Sequence, residues 1–261
     1  MDLAELPSSG FVRHPWEVVR GNFFRRILAE SGVFERPRRV LDAGAGDGYF
    51  VGALLERLPA GSAAVAWDTG YDEASRSGFA PRAAPALRFT RDEPDERFDL
   101  VLMLDVLEHV DDDAAFLERR VRRNVEPDGF VLLSVPCWPA LFTSHDVVLG
   151  HFRRYRPRAF LGLLAGAGLR VLGSGSLFSS LTIPRAMAKV AESLFPRRRS
   201  HAPRRLEWRG SALSARLVAG ALELDATVER ACARRGVGLP GLSFWALCRP
   251  DASETLARGP R

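Results

Sequence analysis

Residues 40–50 read Val40-Leu41-Asp42-Ala43-Gly44-Ala45-Gly46-Asp47-Gly48-Tyr49-Phe50, and this stretch decides the fold. Its apolar first pair predicts the end of a buried strand, and the residues after Gly48 predict the start of a helix. Glycines alternate with other residues at Gly44, Gly46 and Gly48. Because glycine adopts positive φ readily and has no Cβ, this loop is suited to bring its backbone close to a ligand at the start of a helix.

Two other kinds of glycine-rich loop do not fit this pattern. A dinucleotide fingerprint has glycine at its first, third and sixth positions, and the sixth position counted from Gly44 is Tyr49, whose side chain opposes close helix packing. A nicotinamide-dependent oxidoreductase is therefore disfavoured. A phosphate-binding loop ends in Gly-Lys-Ser or Gly-Lys-Thr, and the sequence contains no such run. The remaining pattern, G-x-G-x-G after an acidic residue, suits a nucleoside-like ligand.

Further apolar runs predict strands that alternate with helices. This alternation is typical of a parallel sheet with helices on both faces, whose ligands bind at the carboxyl ends of the strands. Asp68 follows one strand, twenty positions after Gly48, where a carboxylate accepts hydrogen bonds from ribose hydroxyls. The predicted strands are Ala63–Trp67, Phe98–Asp105, Gly129–Pro136 after a turn at Glu126–Gly129, Leu169–Gly173 and Leu242–Cys248.

The glycine loop after Asp42 resembles the first motif of class I S-adenosylmethionine-dependent methyltransferases. The run Phe98–Val110, FDLVLMLDVLEHV, is similar to their fourth-strand segment. The resemblance covers Arg13–Arg158 well and the seventh strand in part. It implies an α/β fold with a Rossmann-like, seven-stranded, doubly wound sheet whose last strand is antiparallel. In that sheet the sixth and seventh strands form a hairpin, whereas here a helical insertion separates them.

The same resemblance implies that the chain binds S-adenosylmethionine and releases S-adenosylhomocysteine. It places Asp68 on the ribose, Asp92 or its neighbour Arg91 near the adenine, and Leu104 and Asp105 beside the methionine end. The complete predicted donor-binding set is Asp42, Gly44, Ala45, Gly46, Gly48, Asp68, Thr69, Asp92, Leu104 and Asp105.

The string SHDVVLGHFRRY at 144–155 resembles a bacterial branch of these enzymes, loosely similar to ubiquinone-biosynthesis O-methyltransferases, that modifies small molecules and glycan or lipid precursors. A hydroxyl acceptor must lose a proton, and an imidazole titrates near pH ~6.5. His145 is the preferred base, because Asp146 or another carboxylate is placed to orient it, and His109 and His151 compete. Structural hydrogen bonding is the alternative role of these histidines. The predicted acceptor-binding residues are Trp16, Arg20, Arg153, Arg154 and Tyr155.

These features predict transfer of a methyl group to a hydroxyl oxygen of a small-molecule, glycan or lipid-type acceptor by in-line displacement. Transfer to nitrogen or carbon of a natural-product intermediate is one alternative. A scaffold protein that binds S-adenosylmethionine without turnover is another.

The chain has 261 residues, of which 46% are hydrophobic, enough for one large domain or for one domain plus an excursion. The predicted units are an N-terminal helical lid at 1–35, a methyltransferase core at 36–173, a basic helical insertion at 174–240, the last core strand at 241–250 and a disordered tail at 251–261. Within the insertion, a helix is predicted at Ser211–Arg235. Its apolar face consists of Leu213, Leu217, Leu224, Val228 and Ala231.

The net charge of +5 is concentrated in the tract Leu177–Arg209, which has eight basic and two acidic side chains. A nucleic-acid enzyme would spread basic residues around its catalytic mouth, so no nucleic-acid partner is predicted. The segment 177–205 is instead a candidate for peripheral contact with an anionic membrane, and the insertion is a candidate homodimer interface. The alternative is that its apolar stripe packs on the main domain. That stripe consists of Met187, Val190, Ala191 and Leu194.

The cysteines and the apolar segments indicate in which cellular compartment the protein is expected. Cys137, Cys232 and Cys248 lack the spacing of a metal site, so no metal is predicted and a reducing cytoplasm is expected. The first ten residues do not resemble a signal peptide, and no apolar run reaches the ~18 residues of a spanning helix. A soluble cytoplasmic protein is therefore expected, with membrane contact only at its periphery.

Overall fold

The computed structural model describes residues 12–73, 75, 79, 86–195, 208 and 210–251. Within these residues, seven strands form one sheet in the order β3-β2-β1-β4-β5-β7-β6. The strands β1 to β5 are parallel to one another, and β7 is antiparallel to both of its neighbours. The strand bounds are β1 Arg39–Ala43, β2 Ala63–Trp67, β3 Leu87–Thr90, β4 Phe98–Leu104, β5 Val125–Pro136, β6 Leu169–Leu177 and β7 Ser243–Pro250.

Seven α-helices lie in the same described part of the chain: α1 Pro15–Glu30, α2 Tyr49–Leu55, α3 Asp113–Asn124, α4 Ser144–Val148, α5 Pro157–Gly166, α6 Thr182–Leu194 and α7 Ala212–Arg234. Short 3-10 turns occupy Val33–Glu35, Leu107–His109, Pro139–Leu141 and Ser179–Leu181. The predicted α/β fold, a doubly wound seven-stranded sheet with an antiparallel last strand, is confirmed.

The two faces of the sheet bury two hydrophobic clusters. On one face, Phe24 and Leu28 of α1 pack with Leu54 of α2 and Leu222 of α7. On the other face, Leu117 of α3 and Phe160 and Leu164 of α5 pack against β4, β5 and β7. The helix α1, expected to form a lid, therefore also contributes to the main core.

Two strands differ from the sequence prediction. The expected turn at Glu126–Gly129 lies within β5, where the pairing with β4 shifts register between Phe98 and Leu100. A Cβ on Gly129 would lie 2.9 Å from the Glu126 carbonyl oxygen, so the glycine permits a tight bend without ending the strand. In addition, β6 continues past Gly173 to Leu177, because Ser174–Leu177 still pair with β7. The insertion thus leaves the sheet four residues later than predicted.

The predicted apolar face of α7 is not the face that packs on the rest of the protein. Leu213, Leu217, Leu224 and Val228 are exposed, whereas Leu222, Ala226 and Glu229 are buried. The buried face is the one that carries Glu229, whose carboxylate accepts hydrogen bonds from the backbone N–H groups of Phe178 and Ser179 at 2.9 and 2.7 Å. Hydrogen bonding of the turn after β6 therefore selects which face of α7 packs inward.

The apolar stripe of α6 does not pack on the main domain. Met187 and Leu194 are each 67% exposed, and Val190 is 57% exposed. The basic residues predicted to follow this helix, Arg197–Arg205, and the predicted tail beyond Asp251 lie outside the described residues. None of the helices in the described part of the chain combines the length and apolar character needed to cross a membrane.

Candidate active site

The glycine loop joins β1 to α2 at the carboxyl edge of the sheet. Gly44, Gly46 and Gly48 have φ values of 70°, 56° and 69°, a region that glycine adopts without the steric cost imposed by a Cβ. A Cβ on Gly44 would lie 2.7 Å from the side chain of Val106, and one on Gly48 would lie 2.7 Å from the ring of Phe89. Glycine is therefore required at these two positions for both backbone conformation and space.

Asp68 fixes the loop from the end of β2. One carboxylate oxygen accepts a hydrogen bond from the Gly46 N–H at 3.0 Å, and the other accepts one from the Gly70 N–H at 2.9 Å. The Tyr71 hydroxyl donates to the Gly46 carbonyl at 2.6 Å. These bonds hold the backbone of the loop on both sides of Gly46 and leave Asp68 lining the main cavity.

Asp42 lies beneath the loop and is buried. Burial raises its pKa to about 7, and the nearby Asp68 charge also raises it. Asp42 borders a small cavity of about 30 Å³ together with Arg20, Gly44 and Ala45. A protonation change at this carboxyl group therefore falls close to neutral pH, next to the glycine loop.

Arg20 of α1 pairs with Asp105 at the end of β4. Asp105 has φ of 58°, a left-handed conformation that costs a non-glycine residue energy, and its carboxylate also accepts a hydrogen bond from the Ser134 hydroxyl at 2.8 Å. Burial opposes ionisation of Asp105, but the Arg20 charge and the Ser134 bond lower its pKa below the usual value. The Arg20 guanidinium also lies 4.5 Å from the ring centre of Trp16.

A cavity of about 510 Å³ runs along this edge of the sheet. Its volume is in the range of small-molecule sites. Gly44, Asp68 and Thr69 line it after β1 and β2, and Leu104 and Asp105 line it where β4 ends. The residues that line the remainder include Trp16, Arg20, Glu108, His109, His145, Asp146, His151, Arg154, Arg185 and Ser243.

Asp146 organises the histidine-lined end. It is completely buried, accepts hydrogen bonds from the Arg154 guanidinium at 2.7 and 2.9 Å, and lies 3.2 Å from Nδ1 of His151. Arg185 of α6 also pairs with it. Although burial opposes ionisation, the bonds from His151 and Arg154 hold its pKa well below the usual range.

The orienting carboxylate expected for His145 therefore belongs to His151. Successive helix residues point about 100° apart, so Asp146 faces away from its neighbour His145 in α4. His145 nevertheless lines the cavity. Burial, followed by the charge of Arg185, lowers the pKa of its imidazole, which keeps this side chain neutral at pH 7.

Five residues predicted to bind ligands line neither cavity: Gly46, Gly48, Asp92, Arg153 and Tyr155. Arg153 pairs with Asp113 at 3.1 Å, and the Tyr155 hydroxyl donates to the same carboxylate at 2.6 Å. Both side chains thus tie the loop after α4 to α3, and of the Arg153–Tyr155 string only Arg154 reaches the cavity. Asp92 is exposed beyond β3, where its backbone N–H donates to the Thr90 hydroxyl at 3.1 Å.

Glu108 and Arg185 line the cavity without having been selected from the sequence. Glu108 follows Asp105 in the run DVLEHV, and this position in the motif was the available signal. No local signal marks Arg185, because its place depends on how α6 packs over the sheet. Burial raises the pKa of Glu108 well above its usual value.

A family model described as a methyltransferase domain matches residues 16–173 of this sequence, more than half of the chain. The match spans the glycine loop, Asp68 and the DVLEHV run. The chain belongs to the class I S-adenosylmethionine-dependent methyltransferases.

Solved structures share the fold of this methyltransferase. A Galdieria sulphuraria protein assigned as a sarcosine dimethylglycine methyltransferase is 16% identical, with a TM-score of 0.57 over 89% of this chain and 84% of the other. The [4+2]-cyclase SpnF is 15% identical, with a TM-score of 0.54 over 95% and 90%. Coclaurine N-methyltransferase, solved with N-methylheliamine and S-adenosylhomocysteine, is 14% identical, with a TM-score of 0.54 over 88% and 70%. No curated protein sequence matches this methyltransferase.

Proposed function

We propose that this methyltransferase transfers the methyl group of S-adenosylmethionine to a hydroxyl oxygen of a small-molecule, glycan or lipid-type acceptor. The observation that carries the proposal is the single cavity that joins Gly44 and Asp68 to His145 and His151. Donor and acceptor sites must be continuous, because an in-line displacement requires the acceptor atom directly behind the methyl carbon.

The residues around the glycine loop suit the donor. When bound, S-adenosylmethionine supplies an activated methyl group on a sulfonium. Positive φ at Gly44 and Gly46 gives backbone access, and Asp68 has a carboxylate at the cavity wall to accept from the ribose hydroxyls. Asp42 and Arg20 border the small adjoining cavity and are the residues that we assign to the amino group and the carboxylate of the amino-acid portion.

At the other end, His145 is the residue that we assign as general base. Its lowered pKa leaves the imidazole free to accept a proton at neutral pH. His151 and Arg154 are already engaged with Asp146. These contacts give the pocket wall a fixed shape against which the acceptor is oriented.

Two alternatives make different predictions for the same protein. Methyl transfer to an amine that enters unprotonated depends little on a base, so His145→Ala would leave its rate nearly unchanged. A non-catalytic scaffold would bind S-adenosylhomocysteine but produce no methylated compound. Transfer to oxygen predicts instead that His145→Ala lowers kcat by about 10²–10⁴-fold and leaves donor affinity unchanged.

The experiment has two parts. Calorimetric titration with S-adenosylhomocysteine and with NAD is expected to show binding of the former alone. Incubation with isotopically labelled S-adenosylmethionine and an extract of the host cell, followed by mass spectrometry, is expected to yield a methyl ether. A labelled amine or carbon product would contradict the oxygen assignment.

We also propose that the insertion contacts an anionic membrane rather than a second copy of the chain. Support comes from the exposed apolar stripe of α6 and from Arg197–Arg199 and Arg204–Arg205, which follow it in sequence. Co-sedimentation with phosphatidylserine vesicles is expected for the wild type and should be lost in Met187→Glu/Leu194→Glu, whereas Val237→Glu, at another exposed site, is the control. A concentration-dependent dimer without vesicle binding would contradict this assignment.

A further inference from the structure

Three potential metal ligands converge on the acceptor side of the cavity. A carboxylate oxygen of Glu108 and one ring nitrogen from each of His109 and His151 lie within 4.8 Å of one another. Glu108 is completely buried, and neither of its carboxylate oxygens has a hydrogen-bond partner within the described structure. Burying a carboxyl group without a hydrogen-bond partner costs free energy. A ligand bound to Glu108 would offset that cost.

The other buried carboxylates of the cavity wall already have cationic partners. Asp105 pairs with Arg20, and Asp146 pairs with Arg154 and Arg185. Glu108 differs from both because none of the ion pairs found among the described residues includes it. Of these three carboxyl groups, the one without a cationic partner therefore lies where two imidazoles also converge.

The hydrogen bonds around this cluster also suit a metal site. Nδ1 of His151 faces Asp146 at 3.2 Å, which leaves Nε2 as the nitrogen for a ligand. A carboxylate on the far side of an imidazole is the usual support of a metal-bound histidine, because it fixes the tautomer and the ring orientation. The Phe152 N–H donates to the Glu108 carbonyl at 2.7 Å, which anchors the His151 loop beside Glu108.

The geometry requires only small movements. The rings of His109 and His151 are 4.6 Å apart between centroids and nearly perpendicular, at 88°. Ligand atoms at the ~2.0–2.2 Å bond lengths typical of Zn²⁺ lie about 3–4 Å from one another. The present spacing, at most 4.8 Å, exceeds that value by about 1–2 Å.

We propose that Glu108, His109 and His151 form a binding site for a divalent transition-metal cation, such as Zn²⁺ or Mn²⁺. Two imidazoles and a carboxylate suit these ions better than Ca²⁺, which prefers oxygen ligands. The inference rests on the proposed O-methyl transfer and extends it. A cation here would lie in the same cavity as the donor loop, with coordination positions open to the acceptor oxygen, and would favour loss of the hydroxyl proton. It departs from the sequence expectation of no metal, because the ligands are histidines and a glutamate rather than cysteines.

The test uses the full-length protein after treatment with a chelator and dialysis. Calorimetric titrations with ZnCl₂ and MnCl₂ and the visible absorption of the Co²⁺-loaded protein report cation binding. Parallel titration with S-adenosylhomocysteine reports the donor site. We expect one cation per chain and a Co²⁺ spectrum with nitrogen ligation. Glu108→Gln, His109→Ala and His151→Ala should each weaken cation binding by about tenfold or more.

His145→Ala is the matched control, because it removes a histidine of the same cavity outside the cluster and should retain cation affinity. Donor binding without cation binding in the wild type would overturn the metal site and leave the methyltransferase assignment intact. Cation binding unchanged in all three cluster variants would place the ion elsewhere and overturn it too. Absence of S-adenosylhomocysteine binding would contradict the proposed function instead. Thermal unfolding identifies any variant that fails to fold, and the remaining cluster variants then carry the test.

Discussion

Arg20 and Asp105, 85 residues apart in sequence, form an ion pair that joins the N-terminal helix to the end of the central strand β4. Both residues line the cavity, which is also lined by Gly44 of the donor loop and by His109, His145 and His151. Because Asp105 is held in a left-handed conformation and is also bonded to Ser134, its carboxylate has a fixed direction. The ion pair thereby ties the N-terminal helix to the wall of the cavity.

Replacing Arg20 with alanine should therefore weaken the attachment of α1 to the end of β4. It leaves the Asp105 carboxylate without its cation, and we expect a loss of about 1–3 kcal/mol in the free energy of unfolding measured with urea. The affinity for S-adenosylhomocysteine should fall in the same variant. Arg26→Ala, on an exposed part of the same helix, is the control and should change neither quantity. Equal effects of the two substitutions would contradict a role for the pair.

Asp68→Ala should weaken donor binding severely. A carboxylate hydrogen bond contributes about 1.5–3 kcal/mol, which corresponds to a Kd for S-adenosylhomocysteine that rises by about tenfold to a hundredfold. Asp92→Ala removes an exposed carboxylate that does not line the cavity and should leave the Kd unchanged. Calorimetry on both variants provides the comparison, and an unaltered Kd in Asp68→Ala would remove the ribose assignment.

Alanine variants of two glycines with similar φ distinguish the cost of backbone strain from the cost of steric overlap. Gly44 has φ of 70° and meets Val106 at 2.7 Å from its hypothetical Cβ, whereas Gly150 has φ of 75° with no atom within 4 Å. Alanine at either position should cost about 1–2 kcal/mol for the left-handed conformation. Gly44→Ala should destabilise further through overlap and should also reduce donor binding. Denaturant titration of both variants measures the difference, and equal losses would show that the contact with Val106 is unimportant.

Asp42→Asn should make stability less sensitive to pH. The carboxyl group has a pKa of about 7 when folded and near ~3.9 when unfolded, so the folded state binds the proton more tightly. The wild type therefore loses stability as pH rises from about 4 to about 7, by at most about 4 kcal/mol, and the difference is constant above that range.

Urea unfolding of the wild type and Asp42→Asn between pH 4 and pH 8 tests this prediction. The advantage of the asparagine variant should grow with pH through that window and then level off. An advantage that is independent of pH would mean that Asp42 ionises normally in the folded protein.

The glycine loop and Asp68, unlike Asp92, were predictable as parts of the candidate site because their signals are local. Gly44, Gly46 and Gly48 lie within five residues, and Asp68 follows a strand whose apolar run is unmistakable. The carboxyl ends of parallel strands meet at one edge, so these short segments assemble in only one way. Ala45 and Thr69, predicted from their neighbours, also border the cavities.

The acceptor side was less predictable because it depends on tertiary packing. Asp146 is adjacent to His145 in sequence but contacts His151, since the loop after α4 folds back onto it. Both faces of α7 contain apolar residues, and the buried face is selected by the hydrogen bonds of Glu229 to the turn at Phe178. Neither relationship has a periodic signature in the sequence.

The position of Arg185 has a consequence for how such enzymes diverge. This side chain comes from the segment between the last two strands, yet it meets Asp146 and the wall of the cavity. Replacement of the segment between β6 and β7 would change the part of the cavity wall that Arg185 forms. The glycine loop and Asp68 would remain as they are. Substrate choice and donor recognition can therefore change independently during evolution.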